Sequence, residues 1–375
     1  MTALSQSVAV ERTNGWVGGI PVRNLWLLML YASQIFRQIG RGKVAIEQAP
    51  DDIPDLIAEI LAHAVERRLK RNLTFGYQVR EAELSRVRGH IDVLTTEGRQ
   101  LLARGLVACR YDDLTVDTPR NRFVRAALET IAGIIHRPEL SRRCRVLSFS
   151  LRRLGVAGEK PDRSHLSADR FSRHDRDDQF MVAAARLAFD LMLPTESEGN
   201  CALPLPDRDI VWIRRLFEKA VAGFYEVVLS AQGWRVTAGK CLEWQIERKT
   251  PGVDRILPSM KTDIILDNAA SGRRIVIDTK FTSILAPGWH RKESLKSGYI
   301  YQLYAYLRSQ EEPSDPLSNH AAGLLLHPAV GEMVDERVVI QGHELRFATV
   351  DLAATATEIR SRLLQMAARQ APAER

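Results

Sequence analysis

The sequence predicts a mixed α/β protein: an N-terminal α+β half with short strands and a helical region, then a C-terminal half in which a mixed sheet is flanked by helices. Three observations carry this expectation. Apolar residues recur at helical spacing over 55–69 and 209–229, and runs of strand type occupy 76–113 and 260–278. Between two helical patterns, residues 194–206 concentrate Pro, Ser, Gly and Asn. That break divides the 375 residues into 1–200 and 201–375, because one hydrophobic core seldom serves a chain of this length.

In order along the chain, the apolar run 25–32 is too short to span a bilayer and reads as a buried helix capped by Asn24. Over 55–69 the positions Leu56, Ile57, Ile60, Leu61, Ala64, Val65 and Leu69 form one face of an amphipathic helix. Polar and apolar residues alternate in 78–80, 89–94 and 105–111, which predicts short strands. Asp117-Thr118-Pro119-Arg120 opens a helix through 135, since Pro suits a first helical turn, and helical character continues to Leu193. Beyond the break, 209–229 is a long amphipathic helix, followed by strand-like runs at 234–236, 261–266 and 274–278. A helix over 299–308, a strand at 322–326, strand signal over 338–350 and a terminal helix over 353–366 complete the pattern.

With 45% hydrophobic and 26% charged residues the composition is that of a globular protein, and no stretch reaches the ~20 apolar residues of a membrane-spanning helix. The start, Met1-Thr2-Ala3-Leu4-Ser5-Gln6, is not that of a secretory signal, so a cytoplasmic location is expected. Cys109, Cys144, Cys201 and Cys241 lack the close pairing of zinc or redox sites and read as reduced packing residues. The net charge of +7, with arginine abundant from Arg67 to Arg173, suits either a polyanion partner or a solvated surface.

The chemistry concentrates in 260–280. Two β-branched runs flank Asn268-Ala269-Ala270-Ser271-Gly272, a turn-type sequence whose centre is the midpoint between Asp263 and Asp278. In an unbulged hairpin the two carboxylates then stand opposite one another, and like charges so placed call for a cation between them. Hard oxygen ligands select Mg²⁺ or Mn²⁺. Lys280, two residues past Asp278, shares its face, whereas the Thr279 side chain points the other way and offers its backbone carbonyl as a further metal ligand. Such a set suits phosphodiester hydrolysis, with Lys280 orienting water and offsetting charge; Lys280→Ala is expected to slow chemistry while leaving metal binding largely intact.

Around the hairpin, Glu218 lies beside the apolar stripe of its helix, either reaching the metal or pairing with Arg215 and Lys219 on the surface. Gln302 and Tyr306 are four apart, hence on one helix face that contacts DNA or steadies the site, while Tyr301 and Tyr304 read as core. His290, Arg291, Lys292 and Lys296 form a basic loop, suited to DNA or to solvent.

With these features the C-terminal half resembles the RecB-like branch of the PD-(D/E)xK nuclease superfamily. Thr262-Asp263 stands where that superfamily has Pro-Asp, and Asp278-Thr279-Lys280 where it has acid-x-Lys; Asp in place of Glu shortens the second ligand. Ile20-Pro21-Val22-Arg23-Asn24-Leu25-Trp26, Tyr31-Ala32, Arg88-Gly89-His90-Ile91-Asp92, Tyr111-Asp112-Asp113-Leu114-Thr115-Val116-Asp117 and Asn121-Arg122 extend the likeness. From Ile20 past Tyr306 the chain resembles the McrC family, the nuclease subunit of 5-methylcytosine-specific restriction systems.

The resemblance implies a PD-(D/E)xK restriction-endonuclease-like core in 201–375 and a partner-docking domain with a helical connector in 1–200. It further implies Mg²⁺ as cofactor, double-stranded DNA as substrate and a McrB-like AAA+ GTPase ring as partner. No Gly-x-x-x-x-Gly-Lys-Ser/Thr occurs, so GTP belongs to the partner. Two other readings stand beside this one: a RecB-like nuclease acting alone in repair or phage defence, and a non-catalytic adaptor of the ring. The intact Asp263, Asp278 and Lys280 set argues against the adaptor.

Overall fold

The computed structural model describes residues 16–17, 20–39, 52–162, 164, 166, 171, 175–193, 206–287, 293–329 and 333–368. The chain forms two compact units, one of Pro54–Met192 and one that joins Met1–Ile53 to Leu193–Arg375. This departs from the expected division at 200, because the N-terminal helix Val22–Ala32 packs on the helix Pro206–Leu229 and so belongs to the C-terminal unit. The proposed linker 194–206, apart from the helical backbone at Pro206, lies outside the described residues, as do Cys201 and the basic residues His290, Arg291 and Lys292. No helix among the described residues is long and apolar enough to cross a membrane.

In the 54–192 unit, helix Ile53–Lys70 buries Ile57, Leu61 and Val65 as its spacing predicts. A three-stranded antiparallel sheet follows, with Val107–Thr115 between Gly76–Leu84 and His90–Ile91. Helix Pro119–Ile131 starts where Thr118 accepts a hydrogen bond from the Asn121 N–H at 3.3 Å, and it packs against Pro138–Arg153 and Arg176–Asp190. It stops short of 135 because the chain turns at Ala132-Gly133, where the Gly133 N–H bonds back to the Thr130 carbonyl. The short helix Val93–Gly98, capped by Asp92, replaces part of the expected strand.

The motif residues of this unit make structural contacts. Gly89 holds φ +69° with its α-carbon against Val107–Thr115, where a Cβ would meet the Arg110 carbonyl at 2.5 Å. Arg88 lies over the Tyr111 ring at 4.1 Å and pairs with Asp113 at 2.9 Å. Asp117 binds Arg122 and accepts the Ala157 N–H at 2.7 Å, while Asn121 donates to the Thr74 and Val116 carbonyls.

The other unit is built on a mixed six-stranded sheet of β1 (Arg235–Ala238), β2 (Ile264–Asn268), β3 (Arg273–Thr279), β4 (Ala322–Pro328), β5 (Asp335–Ile340) and β6 (His343–Val350). Their order is β5-β6-β4-β3-β2-β1; β3 runs parallel to β4 and antiparallel to β2. Ile264, Leu266, Ile275 and Ile277 are buried on one face of the β2–β3 hairpin. On the other, Ile265 and Val276 join Leu325, Leu345 and Phe347 in a core covered by Leu303, Tyr306 and Leu307 of helix Ser297–Arg308. A strand buried on both faces needs the near-continuous apolar run seen here.

Three local expectations are corrected. Asn24 does not cap: the helix begins at Val22, and Asn24, buried in its first turn, donates to the Leu352 carbonyl at 2.7 Å and the Ala354 carbonyl at 2.9 Å. Asn24→Ala is therefore expected to cost about 1–3 kcal/mol by leaving a buried carbonyl unpaired, read as a lower denaturant midpoint. Cys241 is exposed, since its two-residue strand is paired on one edge only. Tyr301 is exposed on its helix, and Tyr306 takes the buried position that helical spacing left open. Gly223 explains how close the two long helices lie: a Cβ there would sit 2.1 Å from the Tyr31 carbonyl oxygen.

Candidate active site

The β2–β3 register pairs Ile264 with Ile277 and Asn268 with Arg273. One rung further, the same register sets Asp263 opposite Asp278, as the turn position predicts. Asp278 lies on a central strand and is 1% exposed. Its Oδ1 accepts a hydrogen bond from Lys280 Nζ at 3.0 Å. Its Oδ2 stands 2.8 Å from the same ammonium as an ion pair, yet it is buried and accepts no well-directed hydrogen bond. Lys280 is placed by its own N–H, which bonds the Leu326 carbonyl at 2.9 Å, and its ammonium lies 5.2 Å from the Tyr299 ring centroid.

Asp263 sits in a bend just before β2, where strand alternation does not govern its side chain. There its backbone carbonyl accepts the Gly239 N–H, and its Oδ2 accepts both the Thr279 N–H and the Thr279 hydroxyl, each at 2.7 Å. The Thr279 side chain is thus not turned away from the acids as the two-residue period suggests; it holds one of them. Burial, with Asp263 adding to it against the pull of Lys280, pushes the Asp278 carboxyl up to about 6.

Glu218 is half-buried, and its carboxyl is raised first by burial and then by Asp263. It forms no ion pair with Arg215 or Lys219 among the described residues; the cations acting on it are Lys261, Arg214 and Lys219. Gln302 Nε2 donates to the Tyr306 hydroxyl at 2.6 Å, and the Tyr306 phenol, raised mainly by burial, also feels Asp278 and Asp263. The seven site residues expected from the sequence, Glu218, Asp263, Asp278, Thr279, Lys280, Gln302 and Tyr306, therefore converge on one region.

Sequence reasoning missed Arg214, four residues before Glu218 on the same helical face, whose charge reaches both Glu218 and Asp278. It also missed His327, at the end of β4, whose Nδ1 donates to the Thr282 carbonyl at 2.7 Å and whose Nε2 is buried without a partner. An expected strand ending at residue 326 hid it; the residues His327-Pro328 carry no strand signal of their own.

The full stretch of residues 5–317 matches the family described as McrBC 5-methylcytosine restriction system component. The chain belongs to that family. Its kinship with the McrBC family includes 24% identity over 336 residues to the type IV methyl-directed restriction enzyme EcoKMcrBC of Escherichia coli (strain K12), covering 89% of this chain and 93% of that protein. Among solved structures, a chain of the refined half-complex from the tetradecameric assembly of Thermococcus gammatolerans McrB AAA+ hexamers with bound McrC is 13% identical, with a TM-score of 0.43 over 95% of this chain and 78% of its own. A chain of the Thermococcus gammatolerans McrBC complex is 15% identical, with a TM-score of 0.33 over 49% and 60% of the two chains.

A divalent ion fits what this family member places at the site. No three His, Cys, Asp or Glu side chains among the described residues converge as a closed ligand set. Mg²⁺, which keeps several waters and takes one or two carboxylates, needs no such set. The buried Oδ2 of Asp278 has the Lys280 ammonium beside it at 2.8 Å but accepts no directed hydrogen bond, so it keeps lone-pair capacity that a cation could use.

The raised Asp278 carboxyl has two pH consequences. In the metal-free chain, a folded value near 6 against an ordinary 3.8 means that Asp278 contributes stability at low pH, which is lost as pH rises from about 4 to 6. A metal bound through Asp278 would have to displace that proton below pH 6, so any apparent Mg²⁺ affinity of the site is expected to fall about tenfold per unit there and to level off above about 7. Calorimetric titrations across that range check it; a flat affinity would contradict it.

Proposed function

We propose that this chain is the DNA-cutting subunit of a GTP-dependent restriction system directed at modified cytosine, with a PD-(D/E)xK nuclease core and a McrB-like AAA+ GTPase ring as its cytoplasmic partner. The observation that carries the reading is the buried Asp278 carboxylate with Lys280 against it and Asp263 one register step across. Asp263, Asp278 and the Thr279 backbone carbonyl are the groups that would hold Mg²⁺, or Mn²⁺ in its place. When bound, the ion supplies a more acidic water and a positive charge for the scissile phosphate.

The chain's own residues do the rest. Thr279 holds Asp263 through its N–H and hydroxyl, so the carboxylate is oriented before any ligand arrives. Lys280 stands where an ammonium can orient the attacking water and offset charge growing on the phosphate oxygens. Glu218, raised and half-buried, can accept a proton or hold a water at the edge of the site. The Gln302–Tyr306 bond fixes the phenol on the site's helical wall.

Docking to the GTPase is assigned to the 54–192 unit. Its three-stranded sheet leaves Tyr77, Val79 and Leu114 exposed, an apolar face of the kind that a partner covers. The family and the paired components in the E. coli relative's name support a second subunit. The test is cleavage of methylated and unmethylated plasmid by the chain with its GTPase, Mg²⁺ and GTP. Cutting is expected only with methylation, GTP and both proteins; full cutting by the chain alone favours a stand-alone nuclease.

A further inference from the structure

β1 and β2 continue beyond their ends as one long antiparallel ribbon. Ala238 pairs with Ile264, the Gly239 N–H bonds the Asp263 carbonyl, the Thr262 N–H bonds the Lys240 carbonyl, and Cys241 and Leu242 pair with Lys261 and Met260. Residues 243–259 form the tip of this ribbon. The tip begins four residues from Asp263, or about 13 Å at the rise of a strand, and it leaves the sheet at the same end as Asp263, Asp278 and Lys280.

This tip is held in shape. Trp244 Nε1 donates to the Pro258 carbonyl at 2.8 Å across its base, and Lys249 pairs with Asp254 at 2.8 Å. Gln245 Nε2 donates to the Glu311 carbonyl at 2.9 Å, while Gln310 Nε2 donates to the Glu243 carbonyl at 3.0 Å, tying the tip to the end of the Gln302 helix. Yet it exposes apolar side chains: Ile256 is 75% exposed, and Ile246 and Leu257 are also open to solvent. From Lys240 to Lys261 there are five cations against three acids. Lys240, Arg248, Arg255 and Lys261 are exposed and form no ion pair among the described residues.

We propose that this ribbon tip is a duplex-DNA contact: Lys240, Arg248, Arg255 and Lys261 bind phosphates beside the cutting site, and Ile256 with Leu257 presses into a groove. The inference rests on the reading of the chain as a DNA-cutting subunit. A pre-shaped loop that exposes isoleucine between unpaired cations matches a polyanion with apolar groove walls, where side chains of this kind wedge against base steps. A duplex laid across Asp263 and Asp278 must also pass the tip, since the ribbon rises from the same end of the sheet. A second copy of the chain or the GTPase ring would leave the four cations without counter-charges that anything on this surface specifies.

The experiment is anisotropy of a short fluorescein-labelled duplex titrated with the full chain carrying Asp278→Asn, without divalent metal, over a series of salt concentrations. Adding Arg248→Ala with Arg255→Ala is expected to weaken binding about tenfold at low salt and to flatten the log-affinity against log-salt slope by about 2. Adding Ile256→Ser with Leu257→Ser is expected to weaken binding severalfold with the slope unchanged. Melting curves show whether each variant is folded. If the parent binds duplex and both variants match it in affinity and slope, the tip is not a DNA contact, although the nuclease reading survives. If the variants keep DNA affinity but lose self-association or ring binding, the surface belongs to a protein and the proposal fails. A folded parent that leaves the duplex unbound sinks the nuclease reading first, and this role with it.

Discussion

Asp278→Asn is expected to abolish DNA cleavage, with a loss on the order of a thousandfold or more, because on the proposed reading several kcal/mol of transition-state stabilisation would depend on an ion that this carboxylate would help to hold. The amide keeps the shape of the side chain but brings a donor pair and no charge to a buried position beside Lys280. Calorimetry should show Mg²⁺ binding lost in the same variant. Association with the GTPase ring should persist, because the proposed docking surface lies in the 54–192 unit. A variant that is folded, binds Mg²⁺ as before and cuts at the original rate would remove Asp278 from the site. Asp267 supplies the contrast: it too lies in the acidic hairpin, but Arg274 and Arg235 bind it at 2.6 and 3.1 Å, which marks it as a structural acid.

Lys280→Met is expected to slow cleavage by about 10²- to 10³-fold at neutral pH, the scale on which removing one preorganised donor acts. The structure revises the simpler expectation that metal binding would be spared. Lys280 is the group that holds the Asp278 carboxyl down against burial. Without the ammonium that carboxyl rises above about 6, so Mg²⁺ affinity in the variant should begin to fall at a higher pH than in the unaltered chain. Raising the pH should restore metal binding but not the rate, which separates the two contributions of Lys280. Matching pH profiles and rates in the two proteins would show that the ammonium plays neither part.

Much of the site was legible because strand geometry is periodic. The Asn268–Gly272 turn sets the pairing sum of the hairpin, so the opposition of Asp263 and Asp278 follows from counting, and Lys280 follows from the two-residue period. The same rule failed at Thr279 and Asp263, where the strand is interrupted: a bend frees the Asp263 side chain to turn toward the Thr279 N–H, which no periodicity anticipates. Helical spacing likewise placed Gln302 over Tyr306, and Tyr304 does pack against the core, yet it also chose the exposed Tyr301, because spacing defines a face without saying how far it is covered.

By itself the sequence determined the alternation of helices and strands, the hairpin register, and the grouping of two acids with a lysine, since each depends on residues near one another in the chain. Only the tertiary structure decided that the first helix returns to the C-terminal unit, that Arg214 and His327 adjoin the site, and that Asp278 is buried deeply enough to hold its proton up to about pH 6. Those properties depend on packing and on distances between residues far apart in the chain: Asn24 reaches carbonyls more than 300 positions away. Desolvation of a carboxylate is likewise set by everything that surrounds it, not by its neighbours in sequence.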